Sequence, residues 1–141
     1  MTPPPLRLLI DISVILDVVL PREEWLTDSA AILNRISEKR VIGLVATHAI
    51  TTTYYIVARK NGRAAALTTV ADLLQMCDAV PMTSADFQRA LALGLKDFED
   101  AVTATAALVA GADYLVTRNE RDFKHAPVVA RSPAGLLPLL V

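Results

Sequence analysis

Residues 6–17, with the sequence LRLLIDISVILD, constrain the fold of this chain more than any other stretch. They open with a short apolar run, which is typical of a strand buried on both faces of a parallel sheet, although periodicity alone does not exclude a helix. Asp11 and Ser13 follow this run. In open α/β sheets, ligands bind beyond the carboxyl ends of the strands, often where the strand order reverses. Asp11 therefore stands where a first strand would deliver a site residue.

The size and composition of the chain predict one domain over residues 1–141. Residues 1–5 lack the basic and apolar regions of a signal peptide, and their three prolines favour an extended, solvated lead-in. No apolar run approaches the ~18 to 20 residues of a membrane-spanning helix, so we expect no membrane partner. Cys77, the single cysteine, is compatible with a reducing cytoplasm, where we expect the protein to act.

The charge balance gives no sign of a nucleic-acid-binding surface. The net charge is −1, from 14 basic and 15 acidic residues, whereas nucleic-acid binding is usually indicated by a basic surplus. A local basic lip around an acidic site remains compatible with this balance. The hydrophobic content of 53% predicts extra apolar surface that is buried against a partner, and a second copy of the chain is our hypothesis for it.

Predicted strands alternate with predicted helices along the chain. Beyond the opening run, short apolar runs predict strands at residues 41–46, 78–82, 114–116 and 128–129. Periodicity and capping signals predict helices at residues 14–20, 24–39, 47–59, 63–75, 83–94 and 97–110, and from residue 132 onward. This alternation predicts βαβ units with right-handed crossovers and a central parallel sheet between helical layers, an α/β fold.

A second acidic cluster, Asp97 and Asp100, lies at the start of a predicted helix. If Asp97 is the N-cap, Asp100 falls in the first turn, where the helix dipole favours a carboxylate, so both residues can be purely structural. Against that interpretation, residues 101–111 are rich in small side chains. A helix of this kind packs tightly on a sheet, which would bring its first turn near the strand ends.

A third polar cluster, Thr117, Asn119 and Asp122, follows the strand predicted at residues 114–116. Alone it reads as an ordinary polar turn. Together with Asp11 and Asp100, it can converge at the strand ends. Crowded carboxylates repel one another unless a cation neutralises them. An oxygen-rich set with little histidine or cysteine suits Mg²⁺ or Mn²⁺, and the chemistry it predicts is metal-assisted hydrolysis of a phosphodiester.

Four segments of the chain resemble the PIN-domain family. Residues 8–17 are similar to its opening L-I-D-T-N/S-V-x-L-D, residues 100–106 to its D-A-x-x-A-x-A helix, and residues 115–123 to its L-V-T-R-D/N-x-x-D-F turn. Residues 49–56 resemble the helix that carries its second acid. The resemblance implies a three-layer α/β/α sandwich and an Mg²⁺- or Mn²⁺-dependent endoribonuclease. It also implies a VapC-like bacterial toxin with RNA as substrate, an antitoxin as partner and a homodimer as assembly.

The resemblance also implies roles for individual residues. Asp11 and Asp100 would be catalytic metal ligands, and Asn119 would occupy the fourth acidic position. The supporting residues would be Ser13, Asp97, Thr117 and Asp122. Among them, the two hydroxyls would orient carboxylates, Asp122 would support the turn, and Asp97 would partly compensate for missing charge.

The chain departs from the family pattern at two of four acidic positions. The second acid aligns with Thr52, or with Thr51 given one residue of slack, and Asn119 is an amide. Fewer charged oxygens should bind Mg²⁺ more weakly. The alternative function is therefore a PIN-like domain that has lost cleavage and binds RNA or protein. A third alternative is a metal-dependent phosphatase or DNA nuclease on the same scaffold, but no residue of the sequence favours it.

Two further side chains have competing interpretations. For His48, at the start of a predicted helix, we favour a structural role over that of a base, because the sequence offers it no evident partner. Trp25 follows a break, and both an interface and the protein's own core remain open for it.

Overall fold

The computed structural model of this protein describes residues 3–140. Its strands are β1 (Arg7–Ile10), β2 (Ile42–Ala46), β3 (Cys77–Val80), β4 (Tyr114–Val116) and β5 (Ala130–Arg131). Its helices are α1 (Ile12–Val19), α2 (Glu23–Ser37), α3 (Thr47–Asn61), α4 (Arg63–Met76), α5 (Ser84–Ala92), α6 (Phe98–Val109) and α7 (Pro133–Leu136), with short 3₁₀ helices at Glu120–Phe123 and Leu137–Leu139. Of the predicted lead-in, residues 3–5 are exposed and irregular, and residues 1 and 2 lie outside the described residues.

The five strands form one parallel sheet in the order β3-β2-β1-β4-β5. The chain builds outward from β1 through β2 to β3, then returns to the other side of β1 to add β4 and β5. The strand order therefore reverses between β1 and β4. At such a reversal, the loops that leave neighbouring strands diverge, which opens a crevice at the carboxyl ends of the strands.

Both faces of the sheet are covered by helices. Leu8 and Ile10 point into one apolar cluster with side chains of α1, α2, α3, α4 and α7. Leu9 points the other way, into a cluster with Leu115 and the alanines of α6. Alternate residues of a strand point to opposite faces, so a strand buried on both sides must be apolar throughout. The predicted parallel α/β/α sandwich is confirmed.

The two outer strands differ from the prediction. The last strand was predicted at residues 128–129, but Ala130 and Arg131 pair with β4. Val128 instead packs into the core, because the hydrophobicity that suggested a strand serves side-chain burial here. The strand predicted at residues 78–82 is observed at Cys77–Val80. It ends before Pro81, which has no N–H to donate to a ladder.

The sequence predicts an apolar face for α4 from the helical spacing of Leu67, Val70, Ala71 and Leu74, but the helix turns part of that face toward solvent. Leu67 is 44% exposed and Leu74 is 50% exposed, whereas Ala66 and Leu73 are the buried residues of this helix. The apolar stripe was therefore a correct observation about the helix but did not identify its core-facing side. Within residues 3–140, no helix has both the length and the apolar character needed to cross a membrane.

We expect Gly43→Ala to destabilise the protein, because β2 passes close to its neighbours at this residue. A Cβ at Gly43 would lie 2.8 Å from Cys77 Sγ and 2.8 Å from Ile36 Cγ2. Overpacking of this kind costs about 1–3 kcal/mol, which exceeds the entropic gain of about 0.4–1 kcal/mol from replacing glycine. Urea unfolding measures the difference. A stability equal to or above that of the wild type would mean that both neighbours move aside without strain.

Candidate active site

Asp11 lies at the carboxyl end of β1, inside the crevice between β1 and β4. Its N–H donates to Val116 O at 2.9 Å, which continues the ladder by one residue. Its Oδ2 accepts hydrogen bonds from Ser13 Oγ at 2.8 Å and from Thr117 Oγ1 at 2.9 Å. The side chain is 7% exposed. Because both hydroxyls use Oδ2, and no hydrogen bond from residues 3–140 reaches Oδ1, the second oxygen is left for a ligand.

The turn after β4 is connected to Asp11 through the same two hydroxyls. Arg118 N–H donates to Ser13 Oγ at 3.2 Å, and Asn119 N–H donates to Thr117 Oγ1 at 3.0 Å. Each hydroxyl therefore accepts from the turn and donates to the carboxylate. A hydroxyl that both accepts and donates is fixed in orientation. The conformation of the turn and the orientation of Asp11 are thus coupled.

The first turn of α6 brings further carboxylates to the site. Asp97 is the N-cap and accepts the Asp100 N–H at 3.0 Å, as predicted for a cap. Burial, followed by the neighbouring charges of Asp97, Asp11, Asp122 and Glu99 in that order, raises the pKa of Asp100 from 3.8 to about 6. Asp100 is therefore within electrostatic reach of Asp11. The structure places both predicted ligands at the carboxyl end of the sheet, Asp11 after β1 and Asp100 in the first turn of α6.

An open cleft of about 440 Å³ lies beside Asp100. Its acidic side chains come from α6 and from the turn after β4, namely Asp97, Asp100 and Asp122. Its basic side chains are Lys96, Arg121, Lys124 and His125. The chain as a whole has no basic surplus, but this cleft has cations placed around carboxylates. Such an arrangement can bind the phosphates of a nucleic acid while it keeps an acidic centre.

The donor set fits a hydrated hard cation better than a closed protein cage. Burial is the first cause of the raised pKa of Asp100, and the negative charge of neighbouring carboxylates is the second, which a divalent ion would relieve. In the described part of the chain, no three His, Cys, Asp or Glu side chains are placed to bind a metal ion together. Mg²⁺ commonly keeps several waters and binds through one or two carboxylates plus substrate phosphates. Asp11 and Asp100 match that pattern.

His48 lies closer to the site than the sequence suggested. Its Nε2 is 3.2 Å from Thr103 Oγ1, which itself donates to Glu99 O at 2.9 Å. Since the single hydroxyl proton goes to Glu99 O, we assign the His48 proton to Nε2. Burial lowers the pKa of His48, against smaller upward effects of Glu99 and Asp11. His48 is therefore a hydrogen-bonded side chain, with a partner that the sequence did not reveal, and it lies in the field of the acidic site.

The position aligned with the second acid contributes no carboxylate. Thr52 is half-buried on α3, one turn beyond His48 and on the same face of the helix. Thr51 is exposed, and its hydroxyl donates to His48 O at 3.1 Å. Asn119 is exposed next to the cleft. The charged ligand set is therefore smaller than the one the family pattern describes.

A buried ion pair behind the site was not anticipated. Asp17 is completely buried, and its Oδ2 lies 3.0 Å from Arg118 Nε and 3.1 Å from Ser29 Oγ. The Arg118 guanidinium stacks over Trp25 at 4.1 Å from the ring centroid. Trp25 is 38% exposed, so it is neither a core residue nor wholly available to a partner. These residues join α1, α2 and the turn after β4.

The titration of Asp100 predicts how stability depends on pH without divalent ions. Its pKa is higher in the folded state than the ordinary 3.8, so the folded state holds the proton more tightly. The free energy of unfolding should therefore fall as pH rises from about 4 to about 6. Asp100 is only partly buried and water screens its charge, so we discount the shift to about 1 kcal/mol.

Asp100→Asn tests this pH dependence. We expect the variant to be more stable than the wild type at pH 7.5 in EDTA and equally stable near pH 4, as measured by urea unfolding. Asp78→Asn, on the exposed side of the edge strand β3, is the matched control and should show no such difference. A stability gain of the same size at both pH values would contradict the assignment to Asp100.

Comparison with known proteins shows which family the chain belongs to. A family model described as the PIN domain matches residues 7–121, well over half of the chain. The protein therefore belongs to the PIN-domain family, and the resemblance noted from its sequence is confirmed. No curated protein sequence matches the chain.

Solved structures of VapC-type proteins share the fold. VapBC2 from Rickettsia felis, solved with a promoter DNA fragment, matches with a TM-score of 0.68 at 12% identity, over 90% of this chain and 98% of that one. VapC20 from Mycobacterium tuberculosis, described as a sarcin–ricin loop cleaving toxin, matches with a TM-score of 0.68 at 15% identity, over 86% and 96%. VapBC from Salmonella typhimurium, bound to DNA, matches with a TM-score of 0.68 at 12% identity, over 91% of this chain and 98% of that one.

Proposed function

We propose that this protein is a divalent-metal-dependent endoribonuclease that acts in the cytoplasm as the toxin of a bacterial toxin–antitoxin pair. The observation that carries the proposal is the buried Asp11 carboxylate at the carboxyl end of β1, which Ser13 and Thr117 orient. Asp100, in the first turn of α6, is near enough for the charge of Asp11 to contribute to its raised pKa. Membership of the PIN family supports ribonuclease chemistry.

In this proposal, each side chain has a role that follows from its placement. Asp11 and Asp100 hold the cation, and Ser13 and Thr117 keep the Asp11 carboxylate in one orientation. Asn119 would offer a neutral oxygen at the edge of the cleft. When bound, Mg²⁺ or Mn²⁺ supplies a Lewis acid that stabilises charge on a phosphoryl oxygen and activates water.

The basic side chains of the cleft would hold the RNA strand. Lys96 and Arg121 lie on the same cleft as Asp100, so they can contact phosphates next to the scissile one. Contacts to phosphate position a strand without reading its sequence. We therefore expect these residues to affect the binding of all RNA substrates about equally.

A cleavage assay with mixed structured RNAs and millimolar Mn²⁺ tests the proposal. We expect the wild type to cut RNA, Asp11→Asn to be inactive, and the control Asp78→Asn to retain activity. Cleavage at the same rate in Asp11→Asn would identify a contaminating nuclease. RNA binding without cleavage by the wild type would favour the alternative, a binding module, which the missing carboxylates at Thr52 and Asn119 support.

An antitoxin partner is part of the proposal. Two of the structural neighbours are VapBC assemblies bound to DNA, which supports a two-component system for this chain as well. The antitoxin would insert a helix in a groove and reach the acidic site with a basic side chain. Addition of such a partner should inhibit cleavage in proportion to its occupancy.

A homodimer is the assembly we propose. Helices α3 and α4 leave large apolar side chains on the surface, with Tyr55 71% exposed, Leu67 44% and Leu74 50%. Exposed apolar surface of this kind marks interaction sites when it is contiguous. Sedimentation equilibrium should give a dimer for the wild type and a monomer for Leu67→Glu. A wild-type monomer at micromolar concentration would contradict the assembly.

A further inference from the structure

Asp17 is a buried charge that takes no part in the acidic crevice itself. It is completely buried on α1, one turn beyond Ser13. Its Oδ2 accepts from Arg118 Nε and Ser29 Oγ, and Arg22 approaches Oδ1 at 3.7 Å. Removal of a charge pair from water is rarely offset fully by mutual attraction, so apolar residues could stabilise the fold at least as well. Such a pair therefore suggests that Asp17 fixes the position of its partner Arg118 and does not mainly stabilise the fold.

Arg118 is held at both its side chain and its backbone. The guanidinium is fixed between the Asp17 carboxylate and the ring of Trp25. The backbone N–H of the same residue donates to Ser13 Oγ, which donates to Asp11. The next residue, Asn119, is connected through the Thr117 hydroxyl to the same Asp11 oxygen. Movement of the Arg118 side chain would therefore displace both hydroxyls that orient Asp11.

The ion pair also determines where the positive charge of Arg118 is placed. Its guanidinium points to α1 and α2, and it is 18% exposed. A released guanidinium next to a cluster of carboxylates would form hydrogen bonds with them and compete with a cation for the same oxygens. Retention of Arg118 by Asp17 leaves the carboxylates of the site available.

We propose that Asp17 is a positioning residue that, by holding the Arg118 guanidinium, fixes the turn after β4 against Asp11 and keeps the metal site open. The part that concerns the metal rests on the proposed function. The part that concerns the turn does not depend on it.

Asp17→Asn tests the inference, because the amide keeps the size of the side chain but loses its charge. We expect hydrogen exchange at the Arg118 and Asn119 amides to accelerate at least about 10-fold, with no matching change at Leu9 and Leu44 in the sheet. Calorimetric titration should show Mn²⁺ affinity reduced about 10- to 100-fold, as for other residues that orient metal ligands.

Ser29→Ala is the matched control, since it removes the other hydrogen bond to Asp17 and leaves Arg118 in place. It should leave the turn amides and the Mn²⁺ affinity unchanged. If Asp17→Asn does not fold, Trp25→Leu provides the second variant, because Trp25 is partly exposed and its ring stacks on the Arg118 guanidinium. It should accelerate exchange at the same two amides by roughly 2- to 5-fold, as expected for an exposed cation–π contact.

The outcomes separate this inference from the proposed function. If exchange accelerates equally in the turn and in the sheet while Mn²⁺ affinity stays the same, Asp17 only stabilises the fold and the inference is overturned. If the wild type does not cut RNA but the turn loosens selectively in Asp17→Asn, the positioning role stands and the proposed function fails. If the wild type binds no Mn²⁺, the hydrogen-exchange result alone decides whether Asp17 positions the turn after β4.

Discussion

Asp11→Asn is expected to weaken Mn²⁺ binding by at least about 100-fold, since loss of even an outer-shell partner typically costs 10- to 100-fold. The asparagine oxygen can still accept from Ser13 and Thr117, so the fold should survive. The change removes one negative charge from the crevice and keeps the size and shape of the side chain nearly the same. Calorimetric titration with Mn²⁺ measures the affinity, and circular dichroism confirms folding.

The control for charge alone is Asp78→Asn, which removes a carboxylate on the exposed edge of the sheet. Both variants change the net charge of the protein equally. If Mn²⁺ affinity falls equally in both, the ion responds to overall charge, and the assignment of Asp11 as a ligand would be wrong.

Arg118→Met is expected to lower the free energy of unfolding by about 3–5 kcal/mol, because the buried charge of Asp17 would keep only the longer ion pair with the partly exposed Arg22. The remaining partner, Asp17, is completely buried and could not reach water. Ser29 alone would then donate to its Oδ2. Methionine covers a similar apolar surface to the arginine stem, so the loss reports mainly on the charge. Urea unfolding measures the change.

Arg22→Met is the matched control for the same carboxylate. Arg22 is 40% exposed, and its guanidinium lies 3.7 Å from Asp17 Oδ1, so its removal should cost at most about 1 kcal/mol. Equal losses in the two variants would mean that Arg118 has no special place in the ion pair. Losses below about 1 kcal/mol in both would mean that Asp17 finds other compensation.

The layered fold could be predicted because parallel strands covered on both faces must be short apolar runs. The runs at β1, β2 and β4 fit strands for that reason, and the structure has strands at all three. The edge strand β5 was misplaced because its two residues are selected by the register of β4, with Ala130 opposite Leu115, and not by their own hydrophobicity. The core-facing side of α4 was equally hidden, because Ala66 lies in the core and two larger leucines do not.

The acidic site could be predicted as far as strand ends and helix starts determine it. Asp11 follows β1 directly, and Asp100 lies in the first turn of a helix packed on the sheet, so topology places both near the carboxyl ends of the strands. The ion pair of Asp17 could not be predicted, since its partners lie 12 and 101 residues away along the chain. His48 belongs to no recognisable sequence motif either, and only the structure reveals its contact with Thr103.

Paramagnetic broadening by Mn²⁺ offers the most direct measurement of whether one divalent ion binds between Asp11 and Asp100. With substoichiometric Mn²⁺, we expect the amide signals of residues 11–13, 97–101 and 117–119 in the ¹⁵N-labelled protein to broaden first, and Asp100→Asn to abolish the effect. Broadening centred elsewhere, or unchanged by Asp100→Asn, would contradict the shared site.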